Sequence, residues 1–183
     1  IAFVAMNSKD ARLLSKLYVM QVGSDVPAAE LDISGSTVLD LAFKGKNLYV
    51  TGNDFLSVVH GDSMEPVLEQ GKMQAVAVDY TPSGELVLAY NAYNNSTEHT
   101  IVRVAGSGKI KSSVQVQGGI KDLSASSGEV SVLFSDRIVS YAFSDGEQKS
   151  EIKCSDAVRS VIRMSSNVYM QRQSLLEKEE AKS

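Results

Sequence analysis

The chain has 183 residues, 43% of them hydrophobic and 22% charged, with a formal net charge of −4. This is the composition of a globular protein with enough chain for a sizeable core, and no apolar run approaches the roughly 18 residues that cross a bilayer. The acidic balance offers no basic face to phosphates, which argues against a nucleic-acid partner, and a single cysteine, Cys154, excludes an internal disulfide or a multi-cysteine metal site. Cys154 reads as a small hydrophobe on a strand.

In chain order, the first element is the apolar run Ile1-Ala2-Phe3-Val4-Ala5, with no initiator Met or polar leader before it. A fragment of something longer would begin this way. Residues 1–36 predict three strands, centred on Phe3, Tyr18 and Leu31. A strand is then predicted at 38–43, a turn at 44–47 and a second strand anchored by Leu48. A third runs over 55–60 and a fourth around Val67. The same succession follows at 75–80, with a Thr-Pro-Ser-Gly-Glu turn and the anchor Leu86. It returns at 120–125 with the anchor Val130, and at 158–163 with the anchor Val168. Asp145-Gly146 supplies the positive φ of a tight turn before the strand at 149–154. The last residues, 174–183, mix charge signs at helical spacing and read as a solvated or disordered tail.

These short alternating runs, broken by Gly, Ser, Asn and Asp clusters, are an all-β pattern. The longer period is more informative. From the first-strand anchors Leu41, Val78, Leu123 and Val161 to the second-strand anchors the offsets are 7, 8, 7 and 7, and successive second-strand anchors lie 38, 44 and 38 residues apart. A period near 40 with four strands per unit predicts a β-propeller. Residues 1–173 form the propeller segment, with whole blades at 37–73, 74–118 and 119–156. Partial blades occupy 1–36, which lacks a first strand, and 157–173. Because the end blades do not complete each other, open sheet edges would result. Part of the ring is therefore expected from a missing N-terminal part or from another chain.

The strand–loop–strand at 2–23, the segments 54–58 and 79–85, Asp136-Arg137-Ile138-Val139 and the stretch ending after Val168-Tyr169 resemble a domain-of-unknown-function family of bacterial proteins. That resemblance implies one N-terminal membrane helix, absent from this chain, and an extracytoplasmic propeller-like domain of which this is the C-terminal half. Membrane contact would then run only through the absent segment. The family brings no catalytic residues.

One motif carries a chemical suggestion. His60-Gly61-Asp62-Ser63-Met64-Glu65-Pro66 resembles the nucleophile turn of the signal-peptidase and repressor self-cleavage families, in which a Ser is activated by a strand-borne Lys. Here Arg103 stands where the lysine is expected, and a guanidinium does not give up its proton; Lys109 and Lys111 are displaced by several residues. The motif is also in phase with the repeat, as the turn between third and fourth strands, and Gly-Asp-Ser is ordinary turn chemistry. A serine hydrolase using Ser63 is the alternative reading.

His60 and His99 have no carboxylate partners at ligand spacing, and neither a metal site nor a cofactor is expected. Asp40, Asp79 and Asp122 recur in the first strands at slightly different offsets. They would either gather around a cation or polar ligand in a central channel, or, as is commoner, hydrogen-bond backbone between blades. The polar insertion at 91–98, with Asn91, Tyr93, Asn94 and Asn95, is the candidate recognition loop. With no convergent acid, base and nucleophile, the sequence points to a non-catalytic binding or scaffolding module. Its ligand would be a protein, peptide or glycan, met on the outer side of a bacterial membrane.

Overall fold

The computed structural model describes residues 1–9, 12–92, 97–165, 167–173 and 175–180, and over these every regular element is a strand. In chain order they are β1 (Ala2–Lys9), β2 (Arg12–Met20), β3 (Pro27–Asp32), β4 (Val38–Lys44), β5 (Asn47–Gly52), β6 (Leu56–His60), β7 (Ser63–Leu68), β8 (Gln74–Tyr80) and β9 (Leu86–Asn91). There follow β10 (Glu98–Val104), β11 (Ile110–Gln117), β12 (Asp122–Ala125), β13 (Glu129–Leu133), β14 (Arg137–Ala142), β15 (Gln148–Lys153), β16 (Val158–Met164), β17 (Asn167–Arg172) and β18 (Leu175–Glu180). They form five antiparallel sheets of consecutive strands: β1–β3, β4–β7, β8–β11, β12–β15 and β16–β18. Over the described residues three sheets have four strands and the two terminal ones have three, each built from consecutive strands as in the blades of a β-propeller.

The charged segment read as a tail contributes β18, paired along its whole length with β17 from Asn167 opposite Glu180 to Arg172 opposite Leu175. The mixed charges Glu177-Lys178-Glu179-Glu180 on an outermost strand resemble a helical charge pattern in one dimension. On a sheet edge the same charges stand in solvent and discourage further pairing.

Two compact units make up the chain, residues 1–75 with 106–109, and residues 76–105 with 110–183. In the first, β1–β3 and β4–β7 face each other across a core of Leu17, Ile33, Leu48, Val50, Phe55 and Val59, with Ala2, Val4, Val38, Leu41 and Met64 partly buried against it. Each fully buried aliphatic side chain in such a core contributes about 1.5–3 kcal/mol. The Phe55 ring lies where a Cβ on Gly52 would stand, 2.0 Å from its nearest ring atom, so glycine is required there.

In the second unit two seams join three sheets. The seam between β8–β11 and β12–β15 is apolar, holding Val87, Ala89, Ile101, Val114, Val116, Val132, Phe134 and Val139. At its rim Arg103 lies 5.2 Å from the centre of the Phe143 ring and is ion-paired with Glu85, which also binds Lys111. The next seam, against β16–β18, has an apolar half of Leu133, Ile138, Val158, Val161, Val168 and Met170 and a polar half organised by one arginine. Arg163, 7% exposed, donates to Ser131 Oγ at 3.2 Å and Ser140 Oγ at 2.7 Å and pairs with Glu129 at 2.7 Å.

Backbone donors at the inner edges of these sheets are met by side chains. Ala125 N–H on β12 donates to Asp79 Oδ2 of β8 at 2.8 Å. Val161 N–H on β16 donates to Asp122 Oδ2 of β12 at 2.9 Å, and Arg163 N–H donates to Ser124 Oγ of β12 at 3.0 Å. An unpaired strand edge, normally an aggregation hazard, is latched to the preceding first strand.

Candidate functional site

Asp79 and Asp122 stand where these latches form. Burial pushes the Asp122 carboxyl up, and Asp79 nearby adds to that, while the N–H groups of Val161 and Leu123 pull the other way. Asp40 is half-buried on β4, where β4 is bulged between Val38 and Asp40. Among the described residues no group of three or more His, Cys, Asp or Glu is placed to hold a metal ion. No helix there is long and apolar enough to cross a membrane.

Ser63 opens β7 and is exposed, and its hydroxyl donates to the His60 carbonyl at 3.1 Å, closing the turn through Gly61 and Asp62. His60 in turn has Nδ1 2.8 Å from Asn47 Oδ1. Arg103 and Lys111, the cations weighed as partners for Ser63, are both committed to Glu85, whose carboxyl they hold below its ordinary value, Lys111 most strongly. The geometry around Ser63 is that of a hairpin turn. Cys154 is half-buried and burial raises its thiol, which keeps it protonated.

Tyr93, Asn94 and Asn95 of the insertion lie outside the described residues. Asn91, at its start, is buried on β9, and its side-chain oxygen has no hydrogen-bond partner among the described residues. One step past the Tyr90–Thr100 pair of the ladder lies His99, buried on β10, and neither of its ring nitrogens has a partner among the described residues. The root of the insertion thus contains two buried polar side chains, where a core position would ordinarily be apolar or satisfied.

No motif in the sequence marks a concavity of the first unit. In the first unit the core does not fill the seam out to β3 and β7, the outermost strands of the two sheets. A cavity of about 490 Å3 remains, lined on its apolar side by Ile33, Phe55, Met64, Pro66 and Leu68. Its polar groups are Asp32, Ser34, Ser36, Ser57 and Gln70. Ser36 and Gln70 are fixed by a chain in which Gln70 Nε2 donates to Ser36 Oγ and Ser36 Oγ donates to Asp54 Oδ1, each at 2.6 Å. Asp32 accepts from Ser34 N–H at 2.8 Å, and hydrogen bonding to Ser34 draws its carboxyl below the ordinary value, so it is a carboxylate at neutral pH. An apolar slot with a few fixed polar groups and one anion is the usual make-up of a binding pocket. Three strands, β3, β6 and β7, and the connections beside them supply the lining from positions 32 to 70, and no periodic motif marks them.

The five antiparallel sheets of consecutive strands define a β-propeller protein. Among solved structures the chain is similar to Hsv2 of Kluyveromyces lactis, with 12% identity, a TM-score of 0.68, and 97% of this chain covered by 60% of that one. It is also similar to a protein of unknown function from Bacteroides caccae, with 11% identity, a TM-score of 0.59, and 96% of this chain covered by 67% of that one. A chain of the nidogen/laminin complex aligns at 13% identity with a TM-score of 0.56, over 92% of this chain and 68% of its own. The chain thus spans about three-fifths of the length of Hsv2, and at these identities the likeness carries the fold. No family model and no curated protein matches the chain.

Proposed function

We propose that the chain is a non-catalytic binding module and that the cleft between β3 and β7 is one of its recognition sites. The observation that carries this reading is the cleft itself: a slot of about 490 Å3 whose polar groups are held by neighbours and whose walls are apolar. An apolar side chain of a protein or peptide fits between Phe55, Met64 and Leu68, and a neighbouring cation or donor fits Asp32. The engagement of Ser63 as a turn residue and of Arg103 and Lys111 with Glu85 supports a binding role over serine hydrolysis. That a chain of the same fold belongs to the nidogen/laminin complex is in keeping with a propeller that assembles with protein. On the same reading the module belongs to a membrane-anchored bacterial protein, displayed outside the cytoplasmic membrane. The family resemblance supports this placement.

Photo-crosslinking from position Gln70 in native membranes tests the site. Crosslinked products that disappear in a Ser34→Trp, Asp32→Arg variant of unchanged stability are the expected result. An unaltered product pattern would remove the cleft from the account, and labelling of Ser63 by a serine-directed probe would remove the non-catalytic reading.

A further inference from the structure

β14 and β15 carry a pairing that sheets ordinarily avoid. Their register sets Arg137 opposite Lys153, Val139 opposite Glu151 and Tyr141 opposite Gln148, all on one face. Two cations directly opposite each other on neighbouring strands repel, and the pair costs stability unless an anion lies between them. The described residues supply no such anion. Asp136 engages Arg137 through Nη1 alone, at 3.0 and 3.2 Å, and Lys153 is exposed and in no ion pair among the described residues. Glu151, diagonal to Arg137 in the ladder, accepts from Gln148 Nε2 at 3.4 Å and pairs with neither cation.

The guanidinium is nevertheless held in place. It lies 5.0 Å from the centre of the buried Phe134 ring. With Nη1 on Asp136, the Nε and Nη2 edge of Arg137 is left for a second acceptor, in the fork geometry that suits a carboxylate. Around it is a concavity of about 480 Å3, lined by Arg137, Val139 and Tyr141 of β14 and by Gln148, Glu151 and Lys153 of β15. Tyr141 is half-buried, and burial raises its hydroxyl, which keeps its proton and can donate. The sheet is the middle one of its unit, with a neighbour packed on each face, so the groove lies on a complete blade.

We propose that this groove binds a protein partner through a single carboxylate, a Glu side chain presented by an extended segment. The carboxylate sits between Arg137 and Lys153, taking the Nε and Nη2 donors of one and the ammonium of the other. Tyr141, further along the groove, offers ring surface and a donor hydroxyl to the rest of the segment. Asp136 and Glu151 at the rim balance the two cations, so the four charges sum to zero. One added negative charge is therefore accommodated, whereas a phosphate dianion or a run of acidic residues meets repulsion. Selectivity comes from that repulsion as much as from the attraction.

The test uses the full chain and the capped peptide Ser-Leu-Ser-Glu-Ser-Leu-Ser, followed by amide NMR. Saturable shifts at Arg137, Val139 and Lys153 are expected. Gln in place of the Glu should weaken binding at least tenfold, and phosphoserine in its place at least threefold. Lys153→Gln, a change at an exposed position, should weaken the Glu peptide at least fivefold while the spectrum away from β14 and β15 is unchanged. Glu151→Gln should bring the phosphoserine peptide closer to the Glu peptide. No saturable binding, equal binding of the Gln peptide, or shifts mapping outside β14 and β15 would overturn the proposal. So would a phosphoserine peptide that binds as tightly as the Glu peptide with Glu151 in place, because the site would then be one for phosphate.

Discussion

β12 and β4 are both first strands, yet they stand in different surroundings. β12 pairs with β13, takes a carboxylate from β8 on its inner edge and gives two acceptors to β16. β4 pairs with β5, and the place of the strand before it is a cavity. The difference teaches what an inner strand contributes to a propeller blade. It covers the apolar side chains of the strand beside it, and it brings the polar groups that satisfy the edge of the next sheet. The anchors Leu123 of β12 and Val161 of β16 are each 3% exposed, whereas the anchor Leu41 of β4 is half-buried.

The largest expected effect that sharpens this contrast comes from truncating the same anchor in both places. Leu123→Ala empties a filled site and should cost about 2–4 kcal/mol in urea unfolding. Leu41→Ala acts on a half-buried residue with room around it and should cost about 1 kcal/mol. Equal costs would break the comparison.

Next in size is Arg163→Ala. Its guanidinium pairs with a carboxylate that is 30% exposed and with two buried hydroxyls, which also hydrogen-bond each other at 2.8 Å. Water can partly compensate Glu129, so the expected loss is about 2–3 kcal/mol, below that for a fully buried pair. A loss under 0.5 kcal/mol would mean that this seam is held by its apolar half alone.

The smallest effect isolates one latch. Asp122→Ala strands the Val161 N–H and should cost about 1–2 kcal/mol, while Asp122→Asn keeps an acceptor there and should be close to neutral. The pH dependence has a definite sign. Burial raises the Asp122 carboxyl in the folded state, so its contribution to stability is full below the unfolded value near 3.8 and is lost as pH rises through the folded one. The stability difference between Asp122→Asn and the parent should therefore move in favour of Asn between pH 4 and pH 7. A difference constant with pH would contradict the burial of this group.

Much of the fold was legible from spacing. The anchors Leu48, Leu86, Val130 and Val168 marked the second strands, because buried β-strand positions must be apolar and recur with the sheet. β18 was not legible, since an edge strand needs no apolar face of its own. The recurrence of Asp79 and Asp122 was visible, and so was their unequal offset from the anchors. The reason for the offset was not: the two carboxylates serve different N–H groups, two residues apart on the following strand. The cleft of Asp32, Phe55, Met64 and Gln70 was invisible because a seam between two sheets joins positions that share no period. Asn91 and His99 show the converse, polar residues in an apolar seam that the strand pattern passes over.

Amide hydrogen exchange, resolved by residue on the isolated chain, addresses the contrast most directly. If first strands are closed by side chains of the strand before them, the N–H groups of Ala125, Val161 and Arg163 will exchange at least a hundredfold more slowly than those of Leu41 and Phe43. Comparable protection at all five positions would show that β4 is already closed and would contradict the contrast.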